Sequence, residues 1–168
     1  TVFVDRERRT GTRNTIGDLE HRFAAGDRMV LFAEGTSSDG NRVLPFRSAL
    51  LGAVGLGRNQ STSKAASPVA VQPLSVAYTH VHGLPMGRQF RPRYAWYGDM
   101  RLGPHLWGVF CSGSVDVRVR LHPAVSPGRF DSRKHLARHC EDQVRAGVLT
   151  DLLGRPISPP TDAAAPLV

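Results

Sequence analysis

Met29-Val30-Leu31-Phe32-Ala33-Glu34-Gly35-Thr36-Ser37-Ser38-Asp39-Gly40-Asn41 is an apolar run that turns at once into a polar, glycine-containing loop. Consecutive apolar residues of strand length, closed by turn residues, predict a buried strand at Met29–Phe32. Upstream, Val2-Phe3-Val4 followed by Asp5-Arg6 repeats the pattern. Between the two runs Ile16, Leu19 and Phe23 recur at helical spacing, and Gly26 stands where a helix C-terminal glycine belongs. Strand, helix and strand in this order predict a layered α/β domain.

Working outward, Phe46 to about Leu56 reads as a helix rich in small residues, and residues 57–67 as a linker. Val69 to Tyr78 is strand-like, with Pro73 marking a bulge or an edge. His80 to Arg93 reads as a long Gly/Pro loop, and Leu102 to Cys111 as a short helix. Val115, Val117, Val119 and Leu121 alternate with Asp116, Arg118 and Arg120, which predicts a strand with its valines inward and its arginines solvated. Leu136, Cys140, Val144 and Val148 step by four along a final helix that starts near Asp131. The fold class expected is therefore a layered sheet with flanking helices over residues 1–154, followed by a disordered tail at 155–168.

The chain has 168 residues, 22 Lys and Arg against 14 Asp and Glu, and a net charge of +8. Phosphate-rich partners fit that balance, whether an anionic lipid surface or nucleic acid. Its two cysteines form no CxxC motif, so neither a metal centre nor a redox pair is expected. No apolar run is long enough to cross a bilayer.

Arg6 and Glu34-Gly35-Thr36-Ser37 each follow an apolar strand. Ligands of open α/β sheets bind outside the carboxyl ends of strands, so these loops are candidates for one site. Gly35 and Gly40 allow close backbone approach to an anion, and Arg6 offers a bidentate donor pair.

These motifs resemble those of the glycerolipid acyltransferases. Val2-Phe3-Val4-Asp5-Arg6 is similar to that family's second block, and Phe32-Ala33-Glu34-Gly35-Thr36-Ser37 to its third, F-P-E-G-T-R-S. Leu44-Pro45-Phe46-Arg47 is similar to the L-x-x-F-K/R that follows, and Ser67 to Pro73 to the fourth block. The wider string Glu34 to Arg42 looks most like the lyso-ornithine lipid branch. Gly83 to Arg88 and Trp96 to Met100 strengthen that likeness.

The resemblance implies acyl transfer from acyl carrier protein or acyl-CoA to the hydroxyl of a lysolipid, without a cofactor, at the cytoplasmic face of the inner membrane. It implies an anionic membrane surface as partner and no nucleic acid. Arg6, Glu34, Gly35, Thr36 and Ser37 would bind substrate. The general base of the family is the His of a His-x4-Asp block. None of the seven histidines has Asp five residues on, so that block is expected ahead of Thr1, and the chain alone is expected to be inactive. Ser37 stands where phosphate-reading members carry Arg, which removes a cation and a fork of donors. A phosphate-free acceptor such as lyso-ornithine lipid is therefore expected, with 1-acylglycerol-3-phosphate as the alternative.

Plainer readings compete. Arg6 also suits a surface ion pair, and Glu34 a helix cap. His80-x-His82 has metal-ligand spacing without a supporting cluster. Trp96, Tyr97 and Trp107 suit a core or a membrane interface better than a cofactor site. A basic anion- or nucleic-acid-binding module has only the +8 charge in its favour.

Overall fold

The computed structural model describes residues 26–49, 51 and 69–159. The expected strand Val2–Val4, the helix through Ile16 and Phe23, Asp5, Arg6, the linker and residues 160–168 of the tail lie outside them, as does most of the expected helix after Phe46.

Among the described residues, three antiparallel strands form a sheet in the order β2-β1-β3: β1 Leu74–Val81, β2 Leu84–Pro85 and β3 Val115–Leu121. Helix α1, Leu102–Cys111, precedes β3, and helix α2, Arg133–Leu153, follows it. This is a small sheet with flanking helices, the α/β arrangement expected. Strand β1 runs three residues past Tyr78 and closes a hairpin that the sequence reading treated as loop. His82 (φ 50°) and Gly83 (φ 76°) both adopt left-handed backbone, as a two-residue I′ turn requires. The Met86 N–H then donates to the Thr79 carbonyl at 2.7 Å.

Helix α2 follows its sequence pattern closely. The Ser132 hydroxyl caps it by accepting from the His135 N–H at 3.2 Å, and left-handed Gly154 ends it. Leu136, Cys140, Val144 and Val148 are all buried, at the four-residue step that makes one face. Leu136, Ala137 and Cys140 join Leu51 and Val125 in the core, with Phe46, Val71 and Phe130 packed against it. Burial pushes the Cys140 thiol up to about 11, so it acts as a small hydrophobe.

Further along, α2 crosses β1 at Gly147. A Cβ there would lie 2.6 Å from His122 Nε2 and 2.7 Å from Ser75 Oγ. The strand face beneath it is made of small side chains, Ser75, Ala77 and Thr79, all buried.

Two sequence expectations change. Met29–Phe32 pairs with no other described strand, and Val30 and Phe32 are exposed. An apolar run becomes a strand only where a neighbour supplies ladder hydrogen bonds. The alternation in β3 is correct in period and its arginines stay largely exposed, but its valines are exposed as well. Arg120 stands opposite Ser75 and Arg118 opposite Ala77, on the face that meets α2. Val117, Val119 and Leu121 face away and are exposed, beside Leu74 and Val76 of β1. On that face Asp151, whose side chain is 1% exposed, pairs with both arginines. Arg120 Nη2 lies 2.5 Å from Asp151 Oδ1, and Arg118 Nη1 lies 3.9 Å from the same oxygen. A buried carboxylate needs such partners.

Candidate functional site

The loop from Glu34 to Arg47 is fastened at both ends. At its start the Gly35 N–H donates to the Phe32 carbonyl at 3.1 Å, closing a tight turn. Gly35 has φ +68°, and a Cβ there would sit 2.8 Å from Cδ and Nε of Arg47. The positive φ favours glycine, while the flexible Arg47 side chain lying against it could shift. The Arg47 N–H reaches back to the Ala33 carbonyl at 2.8 Å. Glu34 Oε2 accepts from the Leu44 N–H at 3.0 Å, so this carboxylate spans its own loop. The Phe46 N–H donates to Glu141 of α2 at 3.0 Å, and Arg145 pairs with the same carboxylate. These bonds lock the loop to the helix.

The middle of the loop folds on itself and on β1. Ser38 Oγ donates to the Arg42 carbonyl, and Asp39 accepts from both the backbone and side-chain N–H groups of Asn41. The Asn41 hydrogen bonds hold the Asp39 carboxyl below its ordinary value. Gly40 (φ +78°) passes close over Tyr78 and Ala95, where a Cβ would meet Tyr78 Cδ2 at 3.3 Å.

Arg91, which sequence reasoning passed over inside a Gly/Pro loop, joins the parts. It donates to Asn41 Oδ1 at 3.0 Å, to the Met86 carbonyl at 2.9 Å and to the Tyr78 carbonyl at 3.4 Å. One guanidinium thus ties the loop to β1 and to the segment after β2. The signal available in sequence was only the triplet Arg91-Pro92-Arg93, which forms a single 3-10 turn.

Of the five expected site residues, Glu34, Gly35, Thr36 and Ser37 lie together in one turn, while Arg6 falls outside the described residues. Thr36 and Ser37 are exposed, whereas Glu34 and Gly35 are partly buried and build the frame. Arg47 puts a cation against Gly35, in a loop where Ser37 supplies none.

Burial raises the Glu34 carboxyl above its ordinary 4.5. The Leu44 N–H pulls it back in part, and the Glu141 charge adds to the rise. A carboxyl whose folded value is raised binds protons better in the folded state. Stability attributable to it is therefore present below the unfolded value and lost as pH rises through the folded one. Glu34→Gln cannot titrate and keeps an oxygen for the Leu44 N–H. Its melting temperature should gain on that of the wild type as pH rises from the ordinary carboxylate range. Melting curves that stay parallel across pH 4 to 7 would show that Glu34 carries no such strain.

A second constellation is structural. His122 Nε2 lies 3.1 Å from Ser75 Oγ, near Asp151, which has the look of a nucleophilic triad. Ser75 is 1% exposed and Asp151 is taken by Arg120, so no substrate reaches the hydroxyl. Of the two loop histidines, His80 faces Asp116 at 3.8 Å and His82 packs over Gly113 in the hairpin.

The chain is similar to known proteins over nearly its whole length. The chain is 50% identical over 157 residues to "Lyso-ornithine lipid O-acyltransferase" of Brucella abortus, covering 94% of this chain and 58% of that protein. It is 41% identical over 166 residues to the protein of that name from Rhizobium meliloti, and 36% over 152 residues to that from Rhodobacter capsulatus. The chain is a homologue of these acyltransferases. It spans 50–58% of the length of these three relatives. No family model and no solved structure matches it.

Proposed function

We propose that this chain is the acceptor-side part of an O-acyltransferase that esterifies the hydroxyl of a lysolipid, with lyso-ornithine lipid as acceptor. The observation that carries the reading is the 50% identity to the Brucella abortus protein over nearly the whole chain. The reaction joins an acyl thioester, from acyl carrier protein or acyl-CoA, to the acceptor hydroxyl and releases the thiol. As general base the reading takes the His of a His-x4-Asp block, as in the glycerolipid acyltransferases that the motifs resemble. Arg6, Glu34, Gly35, Thr36 and Ser37 form the acceptor loops, and residues 1–154 form the domain with 155–168 as its tail. The site works at the cytoplasmic face of the inner membrane, against anionic lipid.

Ornithine carries a carboxylate and an amine but no phosphate, and the loop suits that chemistry. Arg47 against Gly35 offers one cation for a carboxylate, and Glu34, next to Gly35 in the chain, offers a carboxylate for an ammonium. Ser37 adds a neutral hydroxyl where a phosphate reader would add a second guanidinium.

Specificity tests the proposal. The full-length enzyme should prefer lyso-ornithine lipid to lysophosphatidic acid in kcat/KM. A missing charge-assisted contact is worth roughly 1.5–3 kcal/mol, or about ten- to a hundredfold. Ser37→Arg should then raise kcat/KM on the phosphate acceptor more than on the aminolipid. Wild-type preference for lysophosphatidic acid would move the acceptor to 1-acylglycerol-3-phosphate and leave acyl transfer standing.

A further inference from the structure

Helix α1 buries none of its side chains. Leu102, Leu106, Trp107 and Phe110 are exposed, Trp107 and Phe110 at 71% each. The loop before it continues the patch. Trp96 and Met100 are exposed there and joined, the indole N–H donating to the Met100 carbonyl at 2.7 Å. Both tryptophans of the chain are therefore exposed in this one segment. A helix that is apolar on all sides belongs in a core or in lipid. At ten residues it is about 15 Å long, half of a ~30 Å hydrocarbon layer, so it cannot cross. It is long enough to lie in the interfacial layer, where tryptophan is enriched.

Charge decides between lipid and a protein partner. From Asp99 to Asp116 the only fixed charge between the two acids is Arg101, at the N-cap of α1. Arg88, Arg93 and Arg101 are all exposed, bordering the apolar patch on its N-terminal side in sequence. An uncharged aromatic helix with a border of guanidinium groups complements a bilayer whose headgroups are anionic. We infer that α1 and the Trp96 loop seat in the interfacial layer of an anionic bilayer, with these arginines at the headgroups. The inference deepens the membrane-surface part of the proposed function and does not depend on which acceptor is used.

The test is depth-resolved fluorescence on the full chain with Trp96→Phe, which leaves Trp107 as its sole tryptophan. With phosphatidylglycerol vesicles, Trp107 emission should shift to the blue and be quenched by lipids brominated high on the acyl chain. In a separate wild-type background, Trp107→Ser with Phe110→Ser should lower vesicle co-sedimentation at least tenfold. The melting temperature should stay unchanged, since neither side chain is buried. Emission that vesicles leave unchanged would overturn the inference, as would undiminished sedimentation of the double variant. So would emission already blue-shifted without lipid and never quenched, because another segment or a second copy would then cover α1. Acyl transfer by the full-length protein to detergent-dispersed acceptor is assayed separately. Its absence, with Trp107 quenching intact, overturns the enzyme reading and leaves this one standing.

Discussion

Gly147→Ala should lower stability by about 2 kcal/mol, although alanine is the better helix former by roughly 1 kcal/mol. Gly147 lies inside α2 where the helix crosses β1. The new methyl would stand 2.6 Å from His122 Nε2 and 2.7 Å from Ser75 Oγ, both on buried residues. Overpacking a filled core costs about 1–3 kcal/mol. Pushing His122 from Ser75 would also leave two buried polar groups unsatisfied, at roughly 1–3 kcal/mol. Together these exceed the propensity gain. For a chain of this length the melting temperature should fall by about 4–8 °C. Gly108→Ala in α1 is the control, since nothing lies within 4 Å of a Cβ there. It should be neutral or stabilising. If both substitutions raised the melting temperature, α2 would not approach the sheet as closely as described.

Glu34→Ala should reduce kcat/KM of the full-length enzyme by well over tenfold, a loss of more than about 1.4 kcal/mol of transition-state stabilisation. The substitution removes the acceptor of the Leu44 N–H, which holds the two limbs of the loop together. It also removes a carboxylate from the turn that carries the exposed Thr36 and Ser37. Glu34→Gln separates the two roles. Recovery of activity with Gln would assign Glu34 to positioning the loop through Leu44, and continued loss would assign its charge to the acceptor. Arg6→Ala should cause a comparable loss. Near-wild-type turnover of both alanine variants, at limiting and saturating acceptor, would remove these loops from the site.

Much of the fold was legible because its signals are local. The four-residue step through Leu136, Cys140, Val144 and Val148 needs only helix geometry to place those residues on one face. Leu102–Cys111 likewise read as a helix from its own residues. The hairpin at His82-Gly83 was missed because a non-glycine residue occupies the first left-handed position, which weakens the usual turn signal. Met29–Phe32 read as a strand because apolar runs of that length usually are one, yet strand formation depends on a neighbour that the run itself does not specify.

The sequence by itself determined the motif series, and through it the candidate loop Glu34-Gly35-Thr36-Ser37 and the acyl-transfer reading. It also determined the period of β3, because alternation is a property of the strand alone. Which face of β3 meets α2 was decided only by the tertiary structure. Asp151 sits far along α2, and only when Gly147 lets that helix close on Ser75 does its carboxylate reach Arg120. The support of the site was decided in the same way. Arg91, Glu141 and Arg47 are ordinary charged residues in sequence, and they become a frame because the fold brings them to Asn41, Phe46 and Gly35. Side-chain hydrogen bonds between distant segments have no sequence period, so only the assembled chain reveals them.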